Sequence, residues 1–478
     1  MSDAVIPVES GSPSVRNLAL GCVLLLASAC GGGGGGSDGP PAPPAEAAAW
    51  VKYWNQVAID ASGRSHTQAY REQVGPGRSS RAMAIVHIAV FDALNAILGG
   101  YESYTGLAPA SPDASLKTAI AHAAHDTLID LFPLQIDITN EVLDEFLATA
   151  TDDESTAAGT EVGRAAARAI LQLRAEDGSN HAEPRIGVDF FPRDEVGAWG
   201  MDPISQIGVA LGARWNEVTP FVMSSAEELR IPPPPNLLSP EYTTAFDEIV
   251  RLGGDGETTP TERTEEQTNI GIYWAYDGTP SLCAPPRLYN QVAVEIATQR
   301  GTGVLELARL LALVNVSMAD AGIAIWESKY YYELWRPVTG VRREDGNPDT
   351  ANDPSFTPLG APASNVGGVD FTPPFPAYPS GHAGFGGSLF QVLRRFYGTD
   401  DIPFTFTSDE LNGVTTDWEG VVRPLLPRSY ANLSEAEEEN GQSRIYLGIH
   451  WAFDKTEGIT QGRNVADLVF DTVFRPVG

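Results

Sequence analysis

The chain has 478 residues, 42% hydrophobic and 19% charged, enough to bury one large core or two smaller ones and too apolar to be disordered throughout. Against 62 Asp plus Glu stand 31 Lys plus Arg, giving a formal charge of -31 whose mean field repels DNA, RNA and anionic lipid, which speaks against a nucleic-acid partner. Of the three cysteines, Cys22, Cys30 and Cys283, only Cys283 is left as a free thiol once an export segment is removed, so no disulfide framework holds one mature chain.

In chain order, residues 18–29, LALGCVLLLASA, come first. They form an apolar run shorter than the about 20 residues of a membrane span and read as a signal-peptide core. The run closes on Ala27-Ser28-Ala29-Cys30, which resembles a bacterial lipoprotein processing box with its leucine displaced to Leu26. The expectation is therefore a signal peptide over 1–29 and a lipid anchor on Cys30. A Gly- and Pro-rich tether follows over 30–47, in a protein exported to the periplasm or cell envelope of a bacterium. A plain secretory peptide cut near Ala29 stays open. Residues 1–14 carry Asp3 and Glu9 but no basic residue, whereas a start at Val15 would place Arg16 directly before the apolar core.

Beyond the tether the chain reads as helix after helix, with apolar residues three and four apart and no convincing alternating strand. Residues 80–97, 115–132 and 157–173 are Ala-rich and amphipathic. Pro232 to Pro235 cannot continue a helix, and they divide an N-terminal helical half, 48–229, from a C-terminal half, 239–478. In the second half, helices are expected at 239–252, 265–277, 285–297, 304–335, 383–397, 443–453 and 459–474. The fold class is all-α, two packed bundles, with the chemistry mainly in the second.

Three segments of that half carry charge and imidazole in unusual company. Lys329 precedes Arg336-Pro337 in KYYYELWRP; Pro379-Ser380-Gly381-His382 follows the loop FTPPFPAY; and Ser443-Arg444 precedes His450 and Asp454. Together they supply what a tetrahedral oxyanion needs. Lys329, Arg336 and Arg444 bring three positive charges, and Ser380 and the Gly381 amide, at a helix N-terminus, add neutral donors. One histidine can bond the central atom while the other exchanges a proton. His450 and Asp454, placed four apart on one helix face, fit a ligand imidazole beside a carboxylate that fixes its tautomer.

The three segments resemble the signature of the superfamily that joins vanadium haloperoxidases to type 2 phosphatidic acid phosphatases and bacterial acid phosphatases. The haloperoxidase branch is the closer one. FTPPFPAYPSGHAGFGGSLFQVLRRFYG, WAYDG and PPRLYNQ are similar to stretches of fungal chloroperoxidases, and WNQVAIDASG with GPGRSSRAMAIVHIAVFDALNAI is similar to bacterial members. The resemblance runs from about residue 50 to the end of the chain. It implies vanadate as cofactor, bonded by His450, with Lys329, Arg336, Ser380, Gly381 and Arg444 holding its oxygens. It also implies His382 as the acid-base group and Lys329 as the residue polarising bound peroxide. Hydrogen peroxide and halide would yield hypohalous acid, which halogenates an organic acceptor. Asp277 of WAYDG is a candidate partner for Arg444. Phe375 and Trp326 match positions on the halide side of the pocket, where family chloroperoxidases tend to carry Phe and bromoperoxidases His, so Phe375 points to chloride as well as bromide. The alternative is an acid phosphatase with His450 as nucleophile and His382 protonating the leaving alcohol. Against it stand the absence of a set of membrane helices, the extent of the matching flanks and the 60 residues between His382 and Ser443.

Other candidates read as structural. His87 in AMAIVHIAVF reads as a hydrogen-bonded core histidine, Cys283 as a half-buried small residue, and Tyr330 to Tyr332 as packing around Lys329. His122 and His125, three apart, have a spacing that can hold a metal but lack a clear carboxylate partner.

Overall fold

The computed structural model describes residues 43–44, 46–278, 281–361, 371–417 and 419–477. The expected signal peptide, Cys30 and most of the tether lie outside the described residues. Among the described residues thirteen α-helices run in chain order: α1 (Ala47–Ser65), α2 (Pro76–Leu98), α3 (Leu116–Leu131), α4 (Ile136–Leu147), α5 (Glu154–Arg174), α6 (Pro240–Leu252), α7 (Glu265–Tyr273), α8 (Pro286–Gln299), α9 (Val304–Tyr332), α10 (Pro337–Arg342), α11 (Gly381–Tyr397), α12 (Leu433–Tyr446) and α13 (Ala452–Thr472). The all-α expectation holds, with one small addition. Between α11 and α12 a two-stranded antiparallel sheet forms from β1 (Phe404–Phe406) and β2 (Arg428–Tyr430), in register Phe404↔Tyr430.

Helices α2 and α9 are each long and apolar enough to cross a membrane, yet their apolar windows are 94% and 100% buried within the protein. A helix apolar on every side belongs in a core, and these two pack on each other at the centre. Around them one hydrophobic cluster draws residues from helices on both sides of Pro232 to Pro235, among them α1, α3, α8, α11 and α13, so both sides enter the same core. A smaller cluster joins Tyr242, Phe246, Trp335, Tyr378 and Trp451. Glycines bring α11 and α13 into backbone contact, since a side chain on Gly462 would strike the Gly384 carbonyl.

Four expectations need correction. The helix expected over 443–453 is broken: α12 stops at Tyr446, Gly448 turns the chain with φ 70°, and α13 begins at Ala452. His450 therefore lies in the break and Asp454 in the first turn of α13, rather than both on one helix face. His87 is buried as expected, but neither ring nitrogen has a hydrogen-bond partner among the described residues, because α2 is surrounded by apolar side chains. Cys283 is fully buried rather than half-buried, with its Sγ 2.9 Å from Ser62 Oγ. Of the three tyrosines, Tyr330 and Tyr332 pack as expected, donating to the carbonyls of Leu211 and Ile231, while Tyr331 is 58% exposed.

Candidate active site

The structure brings the three segments together at the base of a cleft open to solvent. Lys329 sits on the last turn of α9, which ends where Glu333 adopts a left-handed conformation (φ 48°). Arg336 then caps α10, whose first residue is Pro337. The loop 371–379 is too rich in proline to form a ladder, so its carbonyls seek donors elsewhere. Lys329 Nζ answers three of them, donating to Pro376 (2.8 Å), Ala377 (2.9 Å) and Pro379. Burial pulls the Lys329 ammonium well below its usual range, with Arg336 and Arg444 adding to the pull and Asp454 opposing it.

Arg336 donates from Nε to the Phe375 carbonyl (2.9 Å), and from Nη1 to the Ile449 carbonyl (2.8 Å) and to His450 Nε2 (3.0 Å). Burial lowers its guanidinium to about 9. Arg444, on α12, gives Nη2 to Asp277 Oδ1 at 2.5 Å. Three guanidinium nitrogens are left buried without a partner among the described residues: Arg336 Nη2, Arg444 Nε and Arg444 Nη1.

The contacts of His450 fix its tautomer. Arg336 can only donate, so His450 Nε2 must carry a lone pair. Nδ1 then holds the proton and donates to Asp454 Oδ2 at 2.9 Å, the same oxygen that accepts the Trp451 amide at 2.9 Å. Burial, reinforced by Arg336, Lys329, Arg444 and His382, holds this imidazole well below its usual pKa and therefore neutral. His382, in the first turn of α11, is fixed in the opposite tautomer. Its Nε2 donates to the Ala275 carbonyl at 2.6 Å, leaving Nδ1 unprotonated. Burial, then Arg444, keeps it neutral too. Its own carbonyl accepts from Tyr289 Oη and Asn440 Nδ2, both at 2.9 Å, which pins the backbone beneath the ring.

Ser380 caps α11, its Oγ accepting from the Ala383 amide, and its own amide donates to the Asp454 carbonyl at 2.9 Å, joining the starts of α11 and α13. Gly381 opens the helix, although a Cβ there would meet only the Trp326 ring at an ordinary 3.4 Å. The Phe375 ring lies 4.9 Å from that of Trp326, 5.0 Å from Lys329 Nζ and 4.9 Å from the Arg336 guanidinium carbon. All eleven residues singled out in the sequence thus fall at this site, with Asp277 touching Arg444 directly.

Sequence reasoning missed Tyr289 and Asn440, although PPRLYNQ had marked the first. It also missed Leu211, which lines the cleft and whose carbonyl accepts from Trp326 Nε1 (3.0 Å) and Tyr330 Oη (2.9 Å). His66 lines the cleft as well, its Nε2 accepting from the Gly75 amide at 3.0 Å. No local pattern announces these tertiary contacts.

Residues 309–478 match the VCPO second helical-bundle domain. The chain is 32% identical to the vanadium chloroperoxidase of Curvularia inaequalis, over 85% of this chain and 79% of that protein. The chain belongs to the vanadium haloperoxidase family. Within it, the fold is similar to that of a bacterial vanadium-dependent iodoperoxidase (TM-score 0.72, 20% identity, 90% of this chain and 97% of the other). It is also similar to a holo-type bacterial vanadium-dependent chloroperoxidase (TM-score 0.63, 18% identity, 88% and 96%). The phosphatase alternative is not favoured by these relatives. The residues fit vanadate, the haloperoxidase cofactor: three guanidinium nitrogens without a partner among the described residues can donate to an oxyanion, and the His450 Nε2 lone pair, here accepting from Arg336, can turn to its central atom.

Proposed function

We propose that this chain oxidises halide with hydrogen peroxide to hypohalous acid, which halogenates organic acceptors, with vanadate held at His450. The observation that carries the reading is the trio Arg336 Nη2, Arg444 Nε and Arg444 Nη1, buried without partners among the described residues and beside His450 Nε2. A buried polar group left unpaired costs about 1–3 kcal/mol, more when charged, so an oxyanion that accepts from all three stabilises the folded site as well as serving it.

When bound, vanadate supplies a Lewis-acidic centre that activates hydrogen peroxide without a change of metal oxidation state. His450 offers Nε2, and Asp454 keeps its proton on Nδ1. Arg336 and Arg444 hold oxyanion oxygens through their free N–H groups, and Ser380 and the Gly381 amide complete the cradle. The protons of Lys329 are engaged by loop carbonyls, so in this arrangement its part is the positive field it lends to the peroxide. His382 accepts a proton from hydrogen peroxide at Nδ1 while Nε2–H stays on the Ala275 carbonyl. Phe375 and Trp326 form the apolar wall where halide attacks, keeping screening water from the cations. The Curvularia relative is named for chloride, and Phe375 favours chloride beside bromide here.

One experiment tests the reading. The purified chain is loaded with orthovanadate and assayed for peroxide-dependent halogenation of a phenol, and the vanadate-free chain is assayed for aryl phosphate hydrolysis. Halogenation that requires vanadate is the expected result; phosphate release without halogenation overturns it. Export and the lipid anchor rest on residues 18–30 of the sequence, and mass spectrometry of the mature N-terminus tests them, an unmodified first residue ruling out the lipid.

A further inference from the structure

On α3, apart from the cleft, His122 and His125 stand one turn apart and Asp126 follows directly. One ligand atom from each, a ring nitrogen or a carboxylate oxygen, lies within 4.8 Å of the other two. We propose that His122, His125 and Asp126 bind a divalent cation of the zinc class, in a site separate from halide oxidation.

The argument starts from His125. Its Nδ1 lies 2.7 Å from Asp126 Oδ1 and its Nε2 lies 2.9 Å from Asn140 Oδ1, so both ring nitrogens face acceptor oxygens. A neutral imidazole has one N–H and cannot donate to both. With the proton on Nε2, held by the Asn140 carbonyl on α4, Nδ1 presents a lone pair directly beside the Asp126 carboxylate. Two lone-pair atoms at that separation repel unless a second ring proton or a metal cation lies between them. An imidazole whose outer nitrogen donates to a carbonyl while the inner one is free is the arrangement that metal-binding histidines adopt.

His122 supplies the independent observation. Its Nδ1 is buried without a partner among the described residues, and the residue is only 6% exposed. Asp126 is 26% exposed at its side chain, which leaves a route from solvent and room for water to complete the coordination. Arg164 Nε stands 4.0 Å from Asp126 Oδ2, on the oxygen turned away from His125, and its side chain is 49% exposed and free to yield. Two imidazoles with one carboxylate favour zinc-like ions over calcium or magnesium, which demand more oxygens. The carboxylate that the histidine spacing lacked is the residue next to His125.

The test titrates zinc chloride into the chelator-stripped, vanadate-loaded full chain by calorimetry, with thermal melts run alongside. Saturable binding of one zinc per chain and a raised melting temperature are expected. Asp126→Asn, a part-exposed isostere, should weaken zinc by at least roughly 10-fold and abolish the melting shift, as should His122→Ala, with halogenation unchanged in both. Absence of saturable binding to the wild type overturns the proposal, as does binding that both variants retain undiminished. Should His122→Ala fail to fold, Asp126→Asn decides alone. Because no step here passes through His450, loss of halogenation in the wild type would bear on the haloperoxidase reading and not on this one.

Discussion

His87 and His450 are both buried imidazoles that burial keeps neutral, one in the middle of α2 and the other just before α13. His87 sits in an apolar stretch of α2, and neither of its nitrogens meets a partner among the described residues. Around His450 a carboxylate holds one nitrogen and a guanidinium points at the other. Burial alone therefore makes a histidine inert; what prepares His450 for a ligand is a fixed tautomer whose lone pair faces a ring of cations. His382 repeats the principle with the nitrogens exchanged, its Nε2 on the Ala275 carbonyl.

The comparison breaks most sharply at His450. His450→Ala should abolish halogenation and release vanadate in equilibrium dialysis, because only hydrogen bonds would remain to hold it; wild-type retention would refute the anchor. His382→Ala should keep vanadate and lower kcat by roughly 10²- to 10⁴-fold, the usual contribution of a general acid-base group. In α2 the effect falls on stability instead. Burial pulls His87 down to about 3, below its unfolded value near 6.5, so as pH falls the unfolded chain takes up the proton first. The stability linked to His87 is thus complete above about pH 6.5 and drains on the way to pH 3, by about 3 kcal/mol between pH 6.5 and 4. His87→Leu should lose less over that interval in urea melts while leaving halogenation intact; an unchanged pH slope would count against the assignment. Asp454→Asn removes the negative charge behind the His450 Nδ1–H and should weaken vanadate by roughly 10- to 100-fold in the same dialysis. Phe375→His should have the smallest effect, a fall in the ratio of chloride to bromide turnover in steady-state rates. An unchanged ratio would detach Phe375 from halide choice.

Much of the site was legible because its residues fall in three short runs whose types and order are improbable outside one chemistry. Helices α2, α3, α5 and α9 were legible from their apolar spacing. The break before α13 was not, because the apolar spacing of IYLGIHWAF continues through it as if the helix did. Gly448 was the available signal: it terminates α12 in a positive-φ turn, where a side chain would strike the Gly253 carbonyl. The engagement of Lys329 was not legible either, since its three acceptors lie 47 to 50 residues away and meet it only when the proline loop folds over α9. His87 shows the converse limit. An apolar run announces burial, but whether its one polar member finds a partner depends on helices distant in sequence.

Leu211 belongs to the N-terminal half, yet its carbonyl fastens Trp326 and Tyr330, and its side chain walls the cleft above the C-terminal cluster. The catalytic bundle is consequently not a transplantable cassette. A truncation that kept 239–478 would retain every charged group of the site and yet strip one side from the chamber. Directed evolution of this scaffold for new organic acceptors therefore has its most permissive target in a strand of loop far from the catalytic residues in sequence, where a change alters the shape of the entrance without touching an ionisable group.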